Sequence, residues 1–159
     1  SGSTCRDAGT IIAVASGTIF NSVVIWHCHH TGGTASGSSE ATSVCPVLKL
    51  TGHQGSIYRI AWSAGGTHVA SCSDDRTSRI YRVGNVTGSA PEGTEERDAD
   101  VVLYGHEARL WDCAFVEDAA DLGFEGKILI TASEDCSCRF WSIDDTMKLA
   151  RQAEGTTRQ

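Results

Sequence analysis

Two adjacent acidic pairs, Asp74-Asp75 and Glu134-Asp135, and two histidines in Gly-His steps, His53 and His106, are the residues best suited to chemistry. Carboxylates and imidazoles carry general acid and base catalysis, but an acid–base pair needs its members in different environments, so that one keeps its proton while the other loses it. Adjacent carboxylates meet no such condition by sequence alone. The competing reading is a tight turn over residues 73–76, because an aspartate side chain bonds its own backbone two residues on and tolerates unusual dihedrals. Metal chemistry is raised by "HCHH" at 27–30 and by Cys136-x-Cys138. Neighbouring residues on a strand point to opposite faces, so the first run cannot converge on one tetrahedral ion without distant help. The second lacks the further Cys or His pair that makes zinc specific and is expected to pack against a neighbouring repeat. No metal site is expected.

The turn reading makes residues 69–73 and 77–83 the strands of a hairpin. "TASEDCSCRFWSI" at 131–143 repeats the design of "SCSDDRTSRIYRV" at 71–83: small polar residues, an acidic pair, then an alternating run ending in an aromatic. "GHQGSIYRIAWS" precedes the first hairpin and "GHEARLWDCAFV" the second, so each Gly-His belongs to the repeating unit. The insertion "EDAADLGFEGK" lengthens the second copy, as a strand-built repeat tolerates in a turn. An earlier, degenerate copy, "ASGTIFNSVVIW", keeps Trp26 but has Phe20 where the aspartate should stand.

The 159 residues suffice for a real core, and 17 glycines against 2 prolines fit an all-β chain full of turns. A formal net charge of −7 argues against an autonomous nucleic-acid-binding module, which would normally show a basic face. The seven cysteines are an odd number in a chain that needs no staples, and read as reduced, buried, small apolar residues of a cytoplasmic or nuclear protein. The apolar run "TIIAVASGTIF" is too short to span a bilayer and lacks a basic flank, so neither a membrane segment nor a signal peptide is expected.

Gly-His, a strand, a strand ending in Ser-x-Asp and a strand ending in an aromatic together resemble the WD40 repeat family, whose repeats fold as four-stranded propeller blades. The resemblance implies that histidine, a hydroxyl of the second strand, the turn aspartate and the third-strand aromatic bond to one another inside each blade. On this sequence those are His53, Ser71 or Ser73, Asp75 and Tyr81, then His106, Thr131 or Ser133, Asp135 and Trp141. Tyr81 stands where tryptophan is usual, so the first network should be weaker. A degenerate blade over 10–50, a blade over 52–104 and a blade over 105–152 are expected, with surface loops at 31–44 and 84–100. The innermost strand of the degenerate blade has no counterpart in the sequence. A little under three blades, where a ring uses roughly four to eight, reads as a segment of a longer propeller.

"SGTIFNSVVIW", "LTGHQGSIYRIAWS", "ASCSDDRTSRIYRV", "LYGHEARLWDCAF" and "ITASEDCSCRFW" resemble, in that order, the WD-repeat protein 6 family of non-catalytic WD40 subunits. Members partner an FtsJ-type methyltransferase that modifies the 2′-hydroxyl of the tRNA wobble nucleotide. The resemblance implies a cytoplasmic scaffold that is not itself an enzyme, holds no cofactor, and meets a methyltransferase subunit, with tRNA reached through the complex. It also places the Gly-His loops and hairpin turns on one rim, with Gln54, Asp74, Arg76, Glu107, Arg109 and Glu134 as candidate partner-binding residues. Arg79 and Arg139 are expected as structural caps over aromatic neighbours. A generic WD40 interaction module shares every repeat feature. An enzyme is disfavoured because no nucleophile, base and charge stabiliser can be assigned together.

Overall fold

The structure, a computed structural model, describes residues 11–30, 42–84, 94–118, 120, 123 and 126–144, without the side chains of 11, 12, 14, 28–30 and 42–45. Eleven strands occupy these residues: β1 (Ile11–Gly17), β2 (Val23–His30), β3 (Thr42–Leu50), β4 (Ile57–Trp62), β5 (His68–Ser73), β6 (Ser78–Arg82), β7 (Glu95–Arg97), β8 (Val101–Leu103), β9 (Leu110–Val116), β10 (Ile128–Ser133) and β11 (Cys138–Ser142). They form three sheets in the orders β1-β2-β3-β7, β4-β5-β6-β8 and β9-β10-β11. The fold is all-β, as expected.

Alternation decides how the sheets stack. In β5, Val69 faces one neighbour and Ala70 and Cys72 the other; in β6, Tyr81 and Ile80 divide in the same way. The middle sheet is therefore buried on both faces, and β5 reads as a nearly unbroken buried run. One core joins Val23, Ile25, Leu48 and Leu50 to Val69 and Tyr81; the other joins Ala70, Cys72 and Ile80 to Leu110, Cys113 and Leu129. Burial of such side chains, at roughly 1.5–3 kcal/mol each, is what holds sheet on sheet.

The turns that join β1 to β2, β5 to β6 and β10 to β11 share one backbone. At each, a hydroxyl-bearing residue donates its N–H to a carbonyl four residues on (Thr18 to Ser22, 3.1 Å; Ser73 to Thr77, 3.3 Å; Ser133 to Ser137, 3.2 Å). Its hydroxyl oxygen accepts the N–H two residues on at 3.2 Å, from Phe20, Asp75 and Asp135 in turn. The next residue enters the left-handed region: Asn21 at φ 68°, Arg76 at 66° and Cys136 at 64°.

Three expectations need correction. The span 84–100 is not loop throughout, because Glu95–Arg97 adds as β7, parallel to the outer edge of β3. Lys49 meets Glu96 at 2.7 Å, the Thr51 N–H donates to the Arg97 carbonyl at 2.9 Å, and an Arg97 guanidinium nitrogen donates to the Arg82 carbonyl at 2.7 Å. The loop expected over 31–44 gives way to strand at Thr42, and its preceding residues lie outside the described ones. Cys72 and Cys113 are buried thiols, but Cys136 and Cys138 are exposed, because the first sits in the left-handed turn position and the second begins the last strand of its sheet. The fourth strand expected for the last repeat also falls outside the described residues, as do the side chains of Cys28, His29 and His30.

Candidate partner-binding rim

Gly52 and Gly105 open the two Gly-His loops with φ of 113° and 151°, a region that an L side chain rarely adopts. A side chain at either would also meet a guanidinium: Arg79 lies against Gly52, and Arg139 with the Trp141 ring against Gly105. Thus the two arginines lie over the glycines of the Gly-His steps.

The loops deliver His53 and His106 into matching pockets. His53 Nδ1 is 2.8 Å from Asp75 Oδ2 and its Nε2 is 2.8 Å from Ser71 Oγ; His106 makes the same contacts with Asp135 at 2.8 Å and Thr131 at 2.9 Å. Of the paired alternatives, Ser71 and Thr131 reach the imidazoles, while Ser73 and Ser133 shape the turns. Trp141 Nε1–H donates to Thr131 Oγ1 at 2.9 Å, so donors run from indole to hydroxyl to imidazole to carboxylate when the ring carries its proton on Nδ1. Tyr81 does not reproduce the indole bond: its hydroxyl donates to the Thr51 carbonyl at 3.0 Å. Burial pushes that phenol up to about 12.

Each aspartate is saturated. Asp75 also accepts the Gln54 N–H (2.9 Å), the Thr77 N–H (3.0 Å) and the Thr77 hydroxyl (2.6 Å). Asp135 likewise accepts from Glu107 N–H (3.0 Å), Ser137 N–H (2.9 Å) and Ser137 hydroxyl (2.6 Å). Burial alone would raise the Asp75 pKa, but donation from His53, Thr77 and Gln54 outweighs it and holds the carboxyl well below the usual range. The Ser137 hydroxyl leads the same effect at Asp135. Carboxylates and imidazoles whose lone pairs and protons are already engaged within the blade serve rigidity rather than proton transfer. Thr77 and Ser137, which complete these sites, escaped the sequence reading; the hydroxyl two residues after each aspartate was their signal.

Outside the network lies the rim. Asp74 N–H donates to the Ser56 carbonyl and Glu134 N–H to that of Arg109, both at 3.0 Å, stitching each turn to the loop before the inner strand. Gln54, Asp74, Arg76, Glu107 and Glu134 are exposed along it and Arg109 is partly so. Arg109 Nε lies 2.9 Å from Glu134 and 3.5 Å from Asp74, joining one sheet's turn to the other's. Two aromatic residues also stand there that sequence reasoning missed. Tyr58 and Trp111 follow Gly-His at the same distance in both repeats, with ring centroids 4.8 Å apart and planes tilted by 40°. The Arg109 guanidinium carbon is 5.7 Å from the Trp111 ring centre. Among the described residues, no three His, Cys, Asp or Glu side chains gather to hold a metal ion, and no helix is long and apolar enough to cross a membrane.

Comparison with known proteins agrees with this architecture. The chain is 27% identical over 136 residues, 86% of its length, to the tRNA (34-2'-O)-methyltransferase regulator WDR6 of Homo sapiens, and 28% identical over 131 residues to that of Bos taurus. It is 39% identical over 57 residues, 35% of its length, to WD repeat-containing protein 1 of Mus musculus. The chain spans about a tenth of the length of each of these curated relatives. The family model for the WD domain, G-beta repeat, matches residues 44–82 and 100–142, just over half of the chain. With two histidine–aspartate blades and this match, the chain belongs to the WD40 family.

Proposed function

We propose that this chain is part of a non-catalytic, cytoplasmic WD40 scaffold that assists an FtsJ-type methyltransferase in 2′-O-methylation of the tRNA wobble nucleotide. The observation that carries the reading is similarity along 86% of the chain to proteins named as regulators of a tRNA (34-2'-O)-methyltransferase. The geometry suits a scaffold: the groups best able to move protons are consumed by bonds inside the blades, leaving the rim with exposed charge and aromatic surface. Such a subunit aids a reaction by holding partners in position, which can lower a barrier without supplying chemistry. The net charge of −7 suits RNA affinity that comes mainly from the enzyme or from other parts of the protein.

The test is genetic and then biochemical. Deleting the gene should abolish or sharply lower wobble 2′-O-methylation in bulk tRNA, and the full-length protein, inactive alone, should restore activity to the methyltransferase. Unchanged methylation would overturn the proposal and favour a WD40 interaction module of some other complex, a reading that the shorter match to WD repeat-containing protein 1 supports.

A further inference from the structure

We propose that the aromatic ledge of Tyr58 and Trp111 docks a cationic side chain, arginine or lysine, of a protein partner. The proposal rests on the scaffold reading and names the chemistry of what the scaffold grips.

The ledge is built by the backbone. Ile57 pairs with Ser73 and Arg59 with Cys72, leaving Tyr58 as the extra residue of a β-bulge. Leu110 pairs with Ser133 and Asp112 with Ala132, so Trp111 is the extra residue of an equivalent bulge. Bulges re-aim a side chain that strict alternation would send elsewhere. Here both send a large ring outward from the inner strands, Tyr58 at 40% exposure and Trp111 at 48%, each in contact with the other. Half-exposed rings in repeated, matched positions, tilted by 40° to each other, make an apolar ledge where solvated side chains would suffice.

The border decides what sits on that surface. Asp74 and Glu134 flank the ledge through their shared arginine, with Asp112 and Glu107 on the strand and loop that adjoin Trp111. Two nearby cations are already neutralised: Arg59 by Asp112 at 3.0 Å and Arg109 by Glu134 and Asp74. With Arg76, three arginines stand among these four carboxylates, leaving the border a net charge of −1 in a chain that carries −7 as a whole. A ring platform for single-stranded RNA combines aromatic faces with a positively charged groove. A nucleobase would bring its phosphate into an acidic border, whereas a guanidinium or ammonium gains both the π-face and the carboxylates. Arg109 supplies the internal precedent, since its guanidinium stands beside Trp111 between two acids.

The test uses the full-length protein with two labelled probes at equal ionic strength, a tetra-arginine peptide and a tetrauridylate RNA, read by fluorescence anisotropy. The peptide should bind and the RNA should not. Replacing both rings by leucine, Tyr58→Leu with Trp111→Leu, keeps apolar bulk but removes the π-faces and should weaken the peptide about tenfold. Asp74→Asn with Glu134→Gln should weaken it to a similar degree, and thermal melting of each variant checks that the fold survives. Failure of the peptide to bind, peptide binding unchanged by loss of the rings, or preferential binding of the RNA would each overturn the proposal. Because neither tRNA nor enzyme takes part, these outcomes are independent of the methylation assay, and failure of either reading is recognisable by itself.

Discussion

Asp75 and Asp135 are held by the same four kinds of donor, so the substitution of tyrosine for tryptophan at 81 does not weaken the bonds at the carboxylate itself. Its effect is confined to the far end, where Ser71 lacks the indole donor that Thr131 has. Asp75→Ala should therefore cost about 1–3 kcal/mol in urea melts, since it strips the acceptor from the His53 ring and both Thr77 donors. Asp135→Ala should destabilise its own sheet in the same way. Tyr81→Phe removes a single bond to the Thr51 carbonyl and should cost about 0.5–1.5 kcal/mol. Both aspartates have pKa values lowered by folding, so the stability they add is present above the ordinary carboxylate range and is lost as pH falls below about 4 toward the folded values. Replacing both by asparagine should flatten the acid limb of stability measured by urea melts from neutral pH downward. Unaltered pH dependence would show that these bonds do not govern acid unfolding. Recurrence in two copies marked the histidine, hydroxyl and aspartate positions, but that they bond to one another was expected only through the WD40 resemblance; which of two hydroxyls reaches the ring was not legible, because Ser71 and Ser73 lie on the same strand face.

At the scale of elements, the hairpins were readable and the exceptions were those that break periodicity. Alternation and polar turn residues announce β5 with β6 and β10 with β11. A bulge adds one residue without any compositional mark, so the outward aim of Tyr58 and Trp111 could not be read from a pattern of period two. Strand β7 was illegible for another reason: Glu95, Glu96 and Arg97 have little strand propensity and no apolar face, and pair only because β3 offers them an open edge. That pairing makes β7 a cover for an edge that would otherwise be free to recruit another chain. Glu96→Pro should break the short ladder, speed hydrogen exchange at the Thr51 amide and raise the aggregated fraction on size exclusion. Exchange at Thr51 that stays slow would mean that its bond to Arg97 is held by something other than the strand.

The whole molecule is a stack in which the middle sheet serves two cores at once. Ile80→Ala should cost about 2–5 kcal/mol through the cavity left against Leu110 and Leu129, and the loss should be felt by both sheets that border it. If RNA is reached mainly through the methyltransferase, Arg76→Glu should leave the salt slope of tRNA binding to the assembled complex unchanged. A fall of about one unit, the loss of a single phosphate contact, would place RNA directly on this rim. The three turns of shared backbone carry one further meaning. Their backbone is fixed by a hydroxyl and a left-handed residue, while the two residues between them are Asp-Asp, Glu-Asp and, in the first sheet, Ile19-Phe20 at 74% and 81% exposure. Scaffold and message are thus separable at the first residue of each pair: Ile19, Asp74 and Glu134 are displayed, whereas Asp75 and Asp135 are bound inside their blades, so exchanging Ile19 for an acidic residue rewrites what one blade says to a partner without rewriting how it folds.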